Sequence, residues 1–144
     1  MAVILALILC LVLMIIAAIH FYWGMGGVWP AADEPGLERM VVGTQTNRMP
    51  GRTITLLVAV CLIGAALVPL VFAGVIGLPL PQILLTLAMV ALTGVFLGRG
   101  LLTYSPLAAK MHGVEPFSRL DRAYYAPLCI ALGSGFAVLA FLVI

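Results

Sequence analysis

Four apolar runs, each about the length needed to cross a bilayer, dictate what this chain can fold into. They cover about Val3 to Trp23, Thr53 to Val75, Gln82 to Tyr104 and Arg119 to Ile144, the last becoming continuously apolar by Tyr125. At about 1.5 Å of helix per residue, roughly 20 residues cross a hydrocarbon core. Hydrocarbon offers no partner to a bare backbone N–H or C=O, so such runs must be helical. The alternating strands of a membrane β-barrel, about ten residues each, do not occur in the sequence. The stretch from Gly77 to Pro81 is long enough only for a tight turn, so the second and third runs form a hairpin. The expected fold is all-α: a polytopic four-helix transmembrane bundle making one domain over residues 1–144.

Composition excludes the soluble alternatives. Hydrophobic residues make up 65% of the chain and charged residues 8%, against about 25% charged in ordinary soluble domains. A water-exposed fold this apolar would aggregate through its surface patches. Cys10, Cys61 and Cys129 each lie inside an apolar run. An odd number without Cys-x-x-Cys spacing argues against a disulfide framework or a zinc site. No metal or cofactor is expected, because nucleotide loops, His-Glu-x-x-His and Gly-x-Ser-x-Gly are all missing. The net charge of +2 is small, and no basic patch with interleaved aromatics points to nucleic acid. No Lys or Arg precedes Arg39, so the first run reads as a retained helix rather than a signal peptide.

Charge sets the expected orientation. Arg39, Arg48 and Arg52 lie in the first loop; Arg99, Lys110, Arg119 and Arg122 lie around the third. All are at one end of the spans, which places both long loops in the cytoplasm and both termini outside. These loops should be structured. Asp33 is placed to cap a short helix with Pro35 in its first turn, Leu37, Met40 and Val41 on one face, and Gly43 at its end. Ser105, Pro106 and Gly113 bracket a second such segment, and Ser118 with Asp121 has capping-box spacing. Interfacial helices with their apolar faces in lipid are the expectation. Gly94 and Gly98 form a Gly-x-x-x-Gly pair expected to serve packing inside the bundle, with homo-oligomerisation as the sharper reading. Gly133 and Gly135 thin the fourth span.

Polar side chains at membrane depth are costly, which makes them candidates for function. His20 and Arg99 fall at similar depth just inside the loop-bearing face. Tyr22, Trp23, Trp29, Tyr104, Tyr124 and Tyr125 gather at that face, and Arg119, Asp121 and Arg122 open the fourth span there. The bland reading is a snorkelling Arg99, an interfacial aromatic belt and a His20 bonded to a neighbouring carbonyl. The sharper reading starts from Gly98 and Gly100, which flank Arg99 and make room for another backbone or a ligand. If His20 and Arg99 face inward together they form a headgroup clamp, with Arg99 as planar donor and His20 as titratable partner. The ligand would be an amphiphile. The rivals are an accessory subunit or assembly factor of a larger membrane complex, and a small enzyme acting on a lipid or isoprenoid with His20 as acid or base and Arg99 as electrostatic stabiliser. Expected partners are membrane lipids, an amphiphilic small molecule, and a larger membrane protein or a second copy of the chain.

Three segments carry a resemblance. His20-Phe-Tyr22-Trp23-Gly24-Met-Gly26-Gly27-Val-Trp29-Pro30 closes the first span, Phe96-Leu-Gly-Arg99 lies near the end of the third, and Phe117-Ser-Arg-Leu-Asp121-Arg-Ala-Tyr124-Tyr125-Ala-Pro127-Leu-Cys129 opens the fourth. In this order they resemble a family of small bacterial four-helix membrane proteins filed as a domain of unknown function. The resemblance covers nearly the whole chain and implies four spans with their distinctive positions at the cytoplasmic face. It implies no activity, cofactor or catalytic residue. The expected location is the bacterial inner membrane.

Overall fold

The computed structural model describes residues 1–44, 46–107 and 114–143. Among these, four helices are long and apolar enough to cross a membrane. Three are continuous: α1 (Ala2–Gly24), α3 (Arg52–Phe72) and α4 (Gln82–Leu102). The fourth crossing, Phe117–Val143, is composite. It runs from α5 (Phe117–Leu120) through a π-helical turn (Asp121–Tyr125) into α6 (Ala126–Val143). A short helix, α2 (Glu34–Val41), lies in the first loop. The protein is a multi-pass membrane protein, all-helical among the described residues.

The bundle is two helix pairs. α1 packs chiefly on α3 and α4 on α6, and the pairs join through α1 with α6 and α3 with α4. Leu9, Leu13, Leu70, Met89, Phe136 and Leu139 fill the centre, with the rings of Phe96 and Phe136 stacked at 5.8 Å between centroids. Long apolar side chains also point outward, Phe141 being 86% exposed. Water would make that surface unstable; lipid tails cover it at no cost.

Lipid provides no hydrophobic drive between helices, so close backbone approach matters. A Cβ at Gly100 would lie 2.8 Å from the Ala126 carbonyl oxygen, and one at Gly133 would lie 2.8 Å from the Leu97 nitrogen. These two glycines form the α4–α6 seam. Gly135 is covered by the Leu9 side chain of α1. Gly94 and Gly98, expected to pack inside the bundle, instead meet no atom within 4 Å of an added Cβ. Spacing puts the two on one face of the helix, but it does not say which way that face turns.

The π turn follows from Pro127. The Ala126 N–H bonds the Asp121 carbonyl five residues back. The next residue, Pro127, has no N–H to give the Arg122 carbonyl. The Tyr104 hydroxyl donates to that carbonyl instead, at 3.0 Å. The expected capping box does not form: no side chain caps α5, and the Asp121 carboxylate turns toward α4.

α2 is built as its sequence dictates. The Asp33 carboxylate accepts the Gly36 N–H at 2.7 Å, and Pro35 occupies the first turn. The helix stops where the Val42 and Gly43 N–H groups both bond the Glu38 carbonyl. Gly43 has φ of +69°, and the Phe117 side chain lies where a Cβ would project, so no other residue fits. Leu37 and Glu38 are fully buried, so this face of α2 rests on protein rather than lipid. Of the second expected loop helix, Pro106 and Leu107 are helical, and the stretch 108–113 lies outside the described residues.

Candidate functional site

The eleven sequence candidates fall into two groups on either side of α2. The first belongs to α4 and the fourth crossing. Arg99 Nη2 donates to Asp121 Oδ1 at 2.7 Å, and Nη1 donates to the Thr103 hydroxyl at 2.6 Å. Thr103 in turn donates to Asp121 Oδ2 at 2.9 Å. The Asp121 side chain is 7% exposed and the Arg99 side chain 45%. Arg99 therefore has its anion already, supplied from within the chain. Asp121 can reach it because the π turn presents this side chain to α4 while Gly100 lets α6 come close. Tyr125 donates to the Met40 carbonyl at 3.1 Å, tying α2 to the same turn. Arg119, Arg122 and Tyr124 are exposed, with Arg122 engaged only through its backbone carbonyl among the described residues.

The second group surrounds the end of α1. His20 Nδ1–H donates to the Ile16 carbonyl at 2.8 Å, and Nε2 makes no hydrogen bond among the described residues. Its ring lies 5.2 Å from that of Trp23. The Trp23 indole N–H donates to the Trp29 carbonyl at 2.7 Å, folding the Met25–Val28 segment back over the helix end. Tyr22 lies over Gly27, where a Cβ would meet its ring. Among the described residues no hydrogen bond joins His20 to Arg99, each side chain having its own partners.

Three concavities open around the second group. A cleft of about 260 Å³ lies between the end of α1 and the start of α3, with Trp23, Glu34, Leu37, Met49 and Arg52 among its walls. A smaller one of about 130 Å³ shares Trp23, Met49 and Pro50 and adds His20 and Thr55. On the outer side of α1, Ile15, Ala18, Ile19, Tyr22 and Trp29 line an open apolar groove of about 570 Å³. Val28 walls the larger cleft and Trp29 the groove, so a cleft of mixed polar and apolar lining and an apolar groove have walls on adjacent residues.

Several polar contributors escape sequence reading. Glu38 is buried, and its Oε1 accepts from both the N–H and the hydroxyl of Thr44, at 2.7 and 2.6 Å. Thr103 bridges Arg99 and Asp121. Glu34 accepts the Met49 N–H at 3.1 Å. Glu34 is an acid in the first turn of a capped helix, a favourable place for any acid and no mark of a site. The others depend on which loop residue folds onto which helix. Among the described residues no group of three or more His, Cys, Asp or Glu side chains is placed to hold a metal ion.

Comparison with known proteins gives one match. The sequence pattern of a family described as "Protein of unknown function (DUF3995)" matches residues 13–136. No curated protein and no solved structure matches the chain.

Proposed function

The chain belongs to the family described as "Protein of unknown function (DUF3995)", and from its geometry we propose that it binds an amphiphile at the loop-bearing end of the bundle. One observation carries this reading: the cleft between α1 and α3, which holds the charged Glu34 and Arg52, and the apolar groove on α1 are walled by the adjacent residues Val28 and Trp29. A polar head in the first and a hydrocarbon chain in the second match the two environments. Trp23 and Trp29 sit between them, at the depth where amphipathic rings favour the interface. His20, with Nε2 turned to no other partner among the described residues, suits a hydroxyl on the same ligand. Arg99 and Asp121 fix α4 to the fourth crossing and so hold the wall that α2 leans on.

Native mass spectrometry of mildly solubilised protein is expected to show one discrete bound amphiphile. Ala18 is exposed on the groove, so Ala18→Trp fills it without touching the core and should strip that mass. The same change at Ala91, exposed on α4, should leave it. A bare protein carrying only mixed lipid would overturn the reading. It would favour a subunit of a larger membrane complex, for which the outward Gly94 and Gly98 offer a place for a neighbouring helix to approach.

The proposed setting is a bacterial inner membrane with both long loops in the cytoplasm. Arg39, Arg48, Arg52, Arg99, Arg119 and Arg122 all lie at the loop-bearing end, as positive charge retained in the cytoplasm would require. Alkaline phosphatase fused after Ile144 should be active. A stable but inactive fusion would reverse the orientation.

A further inference from the structure

We propose that the cleft walled by Trp23, Glu34 and Arg52 takes a zwitterionic head group, specifically a primary ammonium joined to a phosphate diester. This rests on the reading that the cleft holds the head of an amphiphile, and it assigns that head a charge pattern.

The two charges are both at the cleft and do not neutralise each other. Arg52 Nη2 donates to Met25 Sδ at 3.3 Å, and Met25 is part of the wall. A thioether is a weak acceptor, so the guanidinium keeps strong donors for an anion. Arg52 also opens α3, whose N-cap Gly51 supplies no side-chain cap, so free N–H groups and the positive end of the helix lie beside it. Glu34 uses one carboxylate oxygen on the Met49 N–H, and Met49 is likewise in the wall. Its other oxygen takes no hydrogen bond among the described residues. The one salt bridge among these residues is Arg99 with Asp121; Arg52 and Glu34 face the same space without closing on each other.

Such an arrangement selects by charge. A simple anion satisfies Arg52 but meets the Glu34 carboxylate; a simple cation does the reverse. A molecule carrying both signs a few bonds apart satisfies both. The cleft, about 260 Å³, is smaller than the roughly 300–1,000 Å³ of sites that enclose a drug-sized ligand, and it suits a head group. A primary ammonium has N–H donors for Glu34, whereas a trimethylated one has none, and charge-assisted hydrogen bonds are the stronger kind. The cleft lies at the end of one span and the start of the next, where phospholipid head groups reside.

The test is native mass spectrometry of the delipidated full-length protein given equal amounts of chain-matched phosphatidylethanolamine, phosphatidylcholine and phosphatidylglycerol. Phosphatidylethanolamine should be retained about tenfold over the other two, the discrimination expected of one charge-assisted hydrogen bond. Glu34→Gln keeps an oxygen for the Met49 N–H and should bring phosphatidylethanolamine down to the phosphatidylcholine level. Arg52→Gln should lower both together. Soluble glycerophosphoethanolamine separates the sources of the head group: displacement of the lipid supports the free phosphodiester, and persistence of the lipid supports the lipid itself. Equal retention of the three lipids, or a preference that survives Glu34→Gln, would overturn the zwitterion site. In that case a bound amphiphile still lost in Ala18→Trp keeps the broader reading, whereas its failure to appear at all sinks both.

Discussion

Arg99→Leu is expected to cost about 3 kcal/mol of stability, the low end of the range for stripping one partner from a buried ion pair. The low end applies because the Arg99 side chain is 45% exposed while the Asp121 side chain is 7% exposed. The asymmetry predicts an order of effects. Without Arg99, Asp121 keeps among the described residues only the hydrogen bond from Thr103 and is too buried to be well hydrated. Without Asp121, Arg99 can extend its stem along the apolar surface and carry its charge to the headgroups. Asp121→Asn should therefore cost only about 1 kcal/mol. Replacing both, Arg99→Leu with Asp121→Leu, should recover most of the loss, since neither charge is then stranded. Unfolding by graded denaturing detergent would read the series. If Asp121→Asn proved the more damaging single change, the desolvated partner would have been misidentified. The same result bears on function, because a ligand lost in an Arg99 variant would report a loosened fourth crossing as readily as a broken clamp. Arg52 and Glu34 are the cleaner positions to probe.

The parts of this molecule that were legible in its sequence are those set by bulk physical chemistry. Length and hydropathy fixed four crossings, because hydrocarbon permits no other backbone. Asp33, Pro35 and Gly43 announced α2, because caps and positive φ are local matters. Rotation was not legible. α1, α4 and α6 are apolar on nearly every side, so no polar stripe marks the inward face. That is why Gly94 with Gly98 and Gly100 with Gly133 could not be told apart in role. Asp121 was misplaced for a related reason. Its spacing from Ser118 fits a cap, but Pro127 opens a π turn that sends the carboxylate to α4. The gathering of His20, Tyr22, Trp23 and Trp29 was visible from their spacing along one helix end. Their companions Glu34, Met49 and Arg52 were not, because they arrive through the fold of the first loop.

The α4–α6 seam should be as sensitive as the ion pair, and for a steric reason. An alanine at Gly133 brings its Cβ to 2.8 Å from the Leu97 nitrogen, and one at Gly100 to 2.8 Å from the Ala126 carbonyl oxygen. Both obstacles are backbone, which cannot rotate away as a side-chain tip can. Each substitution must push the helices apart and is expected to cost about 1–3 kcal/mol. The two together should cost less than their sum, because the first separation already makes room for the second. Gly94→Ala and Gly98→Ala set the contrast. Each adds a methyl group into open space and removes a helix-weakening residue, so each should be neutral or stabilising by up to about 1 kcal/mol. Each of the four variants replaces one hydrogen with a methyl group, so propensity alone would move them all in the stabilising direction. Only the seam reverses the sign at Gly100 and Gly133. Graded-detergent unfolding of the isolated protein should show that reversal. A loss at Gly94 or Gly98, accompanied by a change in assembled mass, would instead place a second helix against that face. It would also identify the partner as one that persists in detergent.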